Sequence, residues 1–160
     1  MSDAAGRFSE AAAAARIAPD VWRFPEGTRT ADDAARAIGC DVGQIVKSLV
    51  FVAGNEPVLA LTSGRNRVDT AMLAALCGAP DARKATADEV RAATGYAIGG
   101  TPPFGHPAPL RCFGDPDLVV FDMVWAAAGT PDSVFPIVPD ELMRLAGARV
   151  ARFTETRPRG

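Results

Sequence analysis

Ile45-Val46-Lys47-Ser48-Leu49-Val50-Phe51-Val52-Ala53, followed by Gly54-Asn55-Glu56 and then Pro57-Val58-Leu59-Ala60-Leu61-Thr62, is the stretch that decides the fold. Two runs rich in β-branched and aliphatic residues, parted by three turn-forming residues, predict a hairpin. Neither run alternates cleanly between apolar and polar, so both strands are expected to be mostly buried.

Working outward, Thr30 with Asp33 three residues on opens a helix that Gly39 stops, burying Ala31, Ala34, Ala35 and Ile38. Further upstream, Arg7–Ala18 reads as a helix and Val21–Pro25 as a short extended segment. Residues from about 1 to 19 are expected to form a helical arm. Downstream, Val68–Cys77 is a helix ended by Gly78, and Thr86–Thr94 is another, with Thr86 and Glu89 in a T-x-x-E start and Gly95 as the stop. Leu118–Asp122, Met123–Ala128, Val134–Val138 and Ala148–Phe153 are expected as strands, and Pro139–Ala146 as a helix. Strands and helices mix without a regular βαβ beat. The expectation is one α+β domain over residues 1–160, with a central mixed, partly barrel-like sheet flanked by helices.

Length and composition agree: 160 residues with 48% hydrophobic and 22% charged side chains suit one globular core and exclude disorder. No apolar stretch is long enough to cross a bilayer, and residues 1–16 lack the pattern of a secretory signal, so no membrane partner and a cytoplasmic location are expected. Cys40, Cys77 and Cys112 form no C-x-x-C pair, which argues against structural zinc and disulfides. A net charge of −2 excludes general binding to DNA or another polyanion, so any nucleic acid must be met locally. The stretch with a basic excess is Arg144–Gly160, read as a solvated tail.

Four features could carry chemistry. Lys47 is one of only two lysines and sits in the most apolar strand, where its ammonium must reach an edge, water or an anion. It is either an outward-facing residue or the holder of a phosphate, carboxylate or carbonyl. Gly99-Gly100-Thr101-Pro102-Pro103-Phe104-Gly105-His106 can continue neither helix nor ladder; its glycines allow main-chain N–H groups close to a ligand and its prolines stiffen the loop. It is a rigid connection or an oxyanion cradle. Gly129-Thr130-Pro131-Asp132 is a turn between two strands. His106, the sole histidine, could in principle pair with Cys112, but spacing shows no third group to orient them. No metalloprotease, serine-hydrolase, P-loop or dinucleotide motif is present.

Taken together, Thr30–Ala35 with Ile45–Leu49, the loop Gly99–His106, and Ala128-Gly129-Thr130-Pro131 resemble the YbaK/EbsC, or prolyl-tRNA editing, family of aminoacyl-tRNA deacylases, in order and spacing from about Asp20 to Arg152. The resemblance implies a compact mixed α/β domain that acts without metal or cofactor on the acceptor end of aminoacyl-tRNA. It implies hydrolysis of the ester of a small mischarged amino acid (Ala, Cys, Ser or Thr) on tRNA, with tRNA for proline as the expected acceptor and a prolyl-tRNA synthetase as a candidate partner. Lys47 matches the family's signature lysine, Gly99–Pro103 its G-x-x-x-P loop, and Gly129 the glycine of a later turn bordering the pocket. On that basis Lys47, Gly99 and Gly100 are the catalytic candidates, with main-chain N–H groups near the glycines stabilising an oxyanion. Thr101, Pro102, Pro103, Phe104, Gly105, His106, Gly129, Thr130 and Asp132 are the substrate-binding candidates. Leu49, Phe51, Ile98, Phe104 and Trp125 are candidate pocket linings. Asp132 stands where Asn is at least as expected, leaving amino-acid preference open.

The competing reading is a noncatalytic module that binds a nucleotide or aminoacyl group in the same pocket and docks onto a synthetase. A third is a hydrolase of small amino-acid esters unrelated to tRNA.

Overall fold

The computed structural model describes residues 3–24 and 30–155. Pro25 and the tail arginines Arg157 and Arg159 lie outside them.

The hairpin consists of β2 (Val46–Ala53) and β3 (Glu56–Ser63), preceded by β1 (Trp22–Arg23), and its register runs from Val46 opposite Ser63 to Ala53 opposite Glu56. Gly54 takes φ +61° to turn the chain, and Glu56 belongs to the strand rather than the turn. Because side chains alternate along a strand, Val46 and Val50 pack on one face with Leu59 and Leu61, while Phe51 and Ala53 pack on the other with Val58 and Ala60. The hairpin thus separates two apolar layers, which is why neither run alternates.

β4 (Ala82–Lys84) pairs antiparallel with the last residues of β2, while β5 (Arg111–Gly114) lies parallel to β3, and β8 (Ala148–Val150) parallel to β5. The result is a mixed five-stranded sheet in the order β4-β2-β3-β5-β8. β6 (Val124–Ala127) and β7 (Ser133–Ile137) form a second, antiparallel sheet with β1. A parallel bridge between Ile45 and Trp125 joins the two sheets, and they do not close into a barrel.

The helices follow their caps. α1 (Ala4–Ala14) starts at Asp3, whose carboxylate accepts from Gly6 N–H at 2.7 Å, so it begins earlier and ends sooner than the alanine run suggests. α2 (Ala31–Ile38) has the Thr30 cap and a left-handed Gly39, but Ala31 and Ile38 are only half-buried. α3 (Thr70–Cys77) waits for Asp69, and Val68 pairs with Thr154 instead of joining the helix. α4 (Ala87–Thr94) has the full reciprocal capping box of Thr86 and Glu89. α6 (Pro139–Ala146) lies where expected.

Leu118–Asp122 is not a strand. Asp115 caps a short helix, α5 (Pro116–Val119), by accepting from Asp117 N–H at 2.9 Å, and Pro116 is preset for its first turn. That local chemistry outweighs the β propensity of Leu118-Val119-Val120. No helix among the described residues is long and apolar enough to cross a membrane.

Candidate active site

β4 reaches only Phe51, Val52 and Ala53, so the Val46–Val50 edge of β2 has no ladder partner on that side. A cavity of about 290 Å³ opens along this edge. Its far walls are Ala34 of α2, Trp125 and Ala127 of β6, and Pro131 and Ser133 at the start of β7. Ile98, Gly99 and Thr101 close the remaining side. Since the cavity meets the edge rather than one face of the sheet, successive residues Lys47, Ser48 and Leu49 all border it.

Lys47 is half-buried and its Nζ donates to the main-chain oxygen of Asn66 at 2.6 Å. Asn66 is itself anchored: its Nδ2 donates to Asp115 at 2.9 Å and to Asp117 at 2.7 Å. Asp115 is fully buried and also accepts from Ser63 N–H at 3.0 Å. The lysine is therefore held from behind by the end of β3 and the start of α5. Asn66 and Asp115 are absent from the sequence-based candidates, although the Asp-Pro start of a helix marked Asp115 as a structured position.

The two glycine turns meet each other. Gly99 borders the cavity with φ +86°, and a Cβ on Gly100 would lie 2.9 Å from Thr130 Cα and 3.0 Å from Gly129 O. Only glycine permits that approach. Gly100 N–H, however, donates to Ala97 O at 3.0 Å, so the oxyanion donor expected from it is engaged within its own turn. Thr101 is buried and its hydroxyl donates to the same Ala97 carbonyl at 3.0 Å.

Gly129, Thr130 and Asp132 stand behind the wall rather than in it. Gly129, at φ +105°, faces α1, where a Cβ would lie 2.8 Å from Ala4 O. Thr130 Oγ1 donates to Asp132 Oδ1 at 2.6 Å and meets Ser133 Oγ at 2.6 Å, so the Asp132 carboxylate braces the turn and places Ser133 in the cavity.

The loop then departs from the site. Pro103, Phe104, Gly105 and His106 line a separate hollow beside α6 with Arg144, and Pro102, though buried, does not border the cavity either. Phe104 packs against Phe8 and Phe135, with ring centroids 5.7 and 6.2 Å apart, in the core. His106 Nε2 donates to Pro102 O at 2.8 Å, a carbonyl that can only accept, and burial pushes the imidazole pKa below its usual value. His106 is thus a loop brace. Cys112 is buried and its thiol is pushed up to about 12, which leaves no thiolate for nucleophilic chemistry. Of the proposed linings, Leu49, Ile98 and Trp125 border the cavity; Phe51 and Phe104 lie in the two core layers. Ser48 and Ser133 also border it and were not anticipated.

Comparison with known proteins gives a consistent answer. The family model for the aminoacyl-tRNA editing domain matches residues 25–145. The uncharacterized protein YwhH of Bacillus subtilis (strain 168) is 31% identical over 132 residues, covering 82% of this chain and 83% of that protein. The "Putative Cys-tRNA(Pro)/Cys-tRNA(Cys) deacylase EbsC" of Enterococcus faecalis (strain ATCC 700802 / V583) is 26% identical over 135 residues, covering 83% and 82%. The crystal structure of "a putative trans-editing enzyme for prolyl tRNA synthetase" superposes with a TM-score of 0.89 at 46% identity, over 98% of this chain and 99% of that one. With the matched region spanning the hairpin, the cavity and both glycine turns, the chain belongs to the aminoacyl-tRNA editing domain family.

Proposed function

We propose that this protein is an aminoacyl-tRNA deacylase acting in trans, which hydrolyses the ester between a small mischarged amino acid and the terminal adenosine of tRNA, with tRNA for proline as its acceptor. The observation that carries the reading is that Lys47, fixed on the Asn66 carbonyl, and the Gly99 turn border the same cavity. The Lys47 ammonium orients the reacting end of the substrate. The Gly99 main chain faces the ester carbonyl, where N–H groups stabilise the negative charge that develops on its oxygen.

A water adds to the carbonyl carbon, the bond to the ribose 3′-oxygen breaks, and that oxygen leaves with a proton as the free hydroxyl. Among the described residues neither carboxylate nor imidazole borders the cavity, and the neighbouring ribose hydroxyl of the substrate is the group placed to relay the proton. An aminoacyl ester is already activated, so positioning and charge stabilisation supply a useful rate. Selection is by exclusion of side chains that overlap the cavity walls, whereas a synthetase pocket distinguishes one missing methylene by only about 1–3 kcal/mol. A prolyl-tRNA synthetase is the partner that would supply such tRNA.

The test is release of amino acid from a panel of mischarged tRNAs. Lys47→Ala is expected to lose at least about a hundredfold in rate with its thermal midpoint retained. Equal release by variant and parent rejects the mechanism. Binding without turnover on every member would instead favour the noncatalytic module, and equal activity on a minimal ester would favour a general esterase.

A further inference from the structure

Ser48 Oγ is the one buried side-chain nitrogen or oxygen among the described residues that lacks a hydrogen-bond partner. Such groups are rare because leaving a buried hydroxyl unmet is destabilising. Among the described residues three other hydroxyls belong to the cavity wall, and each is engaged. Thr30 Oγ1 accepts from Asp33 N–H at 3.0 Å, Thr101 Oγ1 donates to Ala97 O at 3.0 Å, and Ser133 Oγ meets Thr130 Oγ1 at 2.6 Å.

Ser48 lies on the same side of β2 as Val46 and Val50, toward Ala85 and Val90 in the apolar part of the cavity. Its main chain faces the cavity as well. Ala85 N–H donates to Val50 O at 3.0 Å, which sets the β4 side of the strand edge at Val50; two residues back, where β4 has ended, Ser48 directs its own N–H and C=O to that side. Ser48 therefore borders the cavity with two main-chain groups, and a turn about its Cα–Cβ bond to another staggered rotamer brings the buried hydroxyl to the same opening, which is otherwise apolar at this point. An alanine would fill the same wall without an unmet polar atom.

We propose that Ser48 is a substrate-binding residue whose hydroxyl completes its hydrogen bonding on a hydroxyl of the bound aminoacyl-nucleotide. This rests on the deacylase reading and refines it. Two substrate hydroxyls have the required chemistry: the side chain of a seryl or threonyl group, and the free hydroxyl of the terminal ribose. A site built to bond a hydroxyl discriminates strongly against an analogue lacking it, because its own polar group is then left unpaired.

The experiment compares the parent protein, Ser48→Ala and Ser48→Thr on Ala-tRNA and Ser-tRNA. It also measures binding of a non-hydrolysable adenosine carrying serine through a 3′-amide, and thermal midpoints. Ser48→Ala is expected to keep or raise the midpoint while losing about tenfold in kcat/KM and in affinity for the amide, and Ser48→Thr to recover most of both. Loss confined to Ser-tRNA places the contact on the amino-acid side chain. Equal loss on Ala-tRNA and Ser-tRNA, matched by an equal loss of affinity when the parent binds the 3′-amide with a 2′-deoxy ribose, places it on the ribose. Unchanged activity and affinity in Ser48→Ala, with the parent active, overturns the inference and leaves the deacylase reading standing. A lowered midpoint in Ser48→Ala also overturns it, by giving the hydroxyl a structural role. A parent inactive on every tRNA overturns the deacylase reading, and the affinity of the amide then decides the role of Ser48.

Discussion

Lys47 Nζ and the main-chain oxygen of Asn66 stand 2.6 Å apart, and the loop that carries this acceptor is pinned by the buried carboxylate of Asp115. The cation at the cavity rim is thus positioned by a residue 19 places along the chain and, through it, by a helix cap 49 places further on. Asp115→Ala removes the cap of α5, strips Ser63 N–H of its acceptor and leaves Asn66 with Asp117 alone. It is expected to cost about 2–4 kcal/mol in urea unfolding. Asn66→Ala is expected to be milder, about 1–2 kcal/mol, yet to lower kcat with little change in KM as Lys47 loses its fixed geometry.

The glycine pair offers a contrast within two residues. Gly99→Ala meets only Pro131 Cβ at 3.8 Å but must hold φ +86°, a strain of about 1–2 kcal/mol. Gly100→Ala has no such angle but drives its Cβ to 2.9 Å from Thr130 Cα, backbone against backbone. It is expected to push the Gly129–Asp132 turn outward, costing about 1–3 kcal/mol in chemical unfolding and reducing deacylation more than Gly99→Ala does.

His106 supplies a pH signature. Burial lowers its pKa below 6.5, so above that pH both folded and unfolded chains hold it neutral and its contribution is complete. As pH falls below 6.5 the unfolded chain takes up a proton that the folded protein refuses, and stability declines until the folded value is passed. Thermal midpoints of the parent measured from pH 7.5 to 5 should fall more steeply than those of His106→Asn. Parallel profiles would contradict the assignment. Deacylation should not share this dependence, because His106 stands outside the cavity.

Trp125 reports on the cavity. Trp125 borders it, and Trp22 packs edge-on against Trp125 with ring centroids 4.7 Å apart while its indole N–H donates to Asp20 at 3.0 Å. Binding of a non-hydrolysable aminoacyl-adenosine should change the intrinsic fluorescence of the parent protein. The change should survive Trp22→Phe, with Trp125 as the reporter, and vanish in Trp125→Phe.

Sequence reading recovered what local chemistry determines. The hairpin was legible because Gly54-Asn55 interrupts two unbroken apolar runs, and α4 and α6 because Thr86, Glu89 and Pro139 mark their starts. β4 was not, since Ala82-Arg83-Lys84 carries no apolar alternation and becomes a strand only by pairing with Phe51–Ala53. At the site, Lys47 and Gly99 stood out through residue type. Treating Gly99–His106 as one unit placed Phe104 and His106 with Lys47, whereas after Thr101 the chain leaves the cavity and they line the hollow between Leu59 of β3 and the end of α6. Ser48 escaped notice because neighbours on a strand ordinarily face opposite ways, and only a cavity at a bare edge draws on both.

α1 touches both glycine-bearing loops from outside: Ala11 lies where a Cβ on Gly105 would be 2.5 Å away, and Ala4 and Phe8 press on Gly129. The N-terminal helix is therefore a strap across two glycine turns. If its first turns fray, the segments on either side of the cavity slacken in concert, and amide exchange at Ala4–Phe8 should rise together with exchange in residues 97–106 and 128–133 rather than ahead of it.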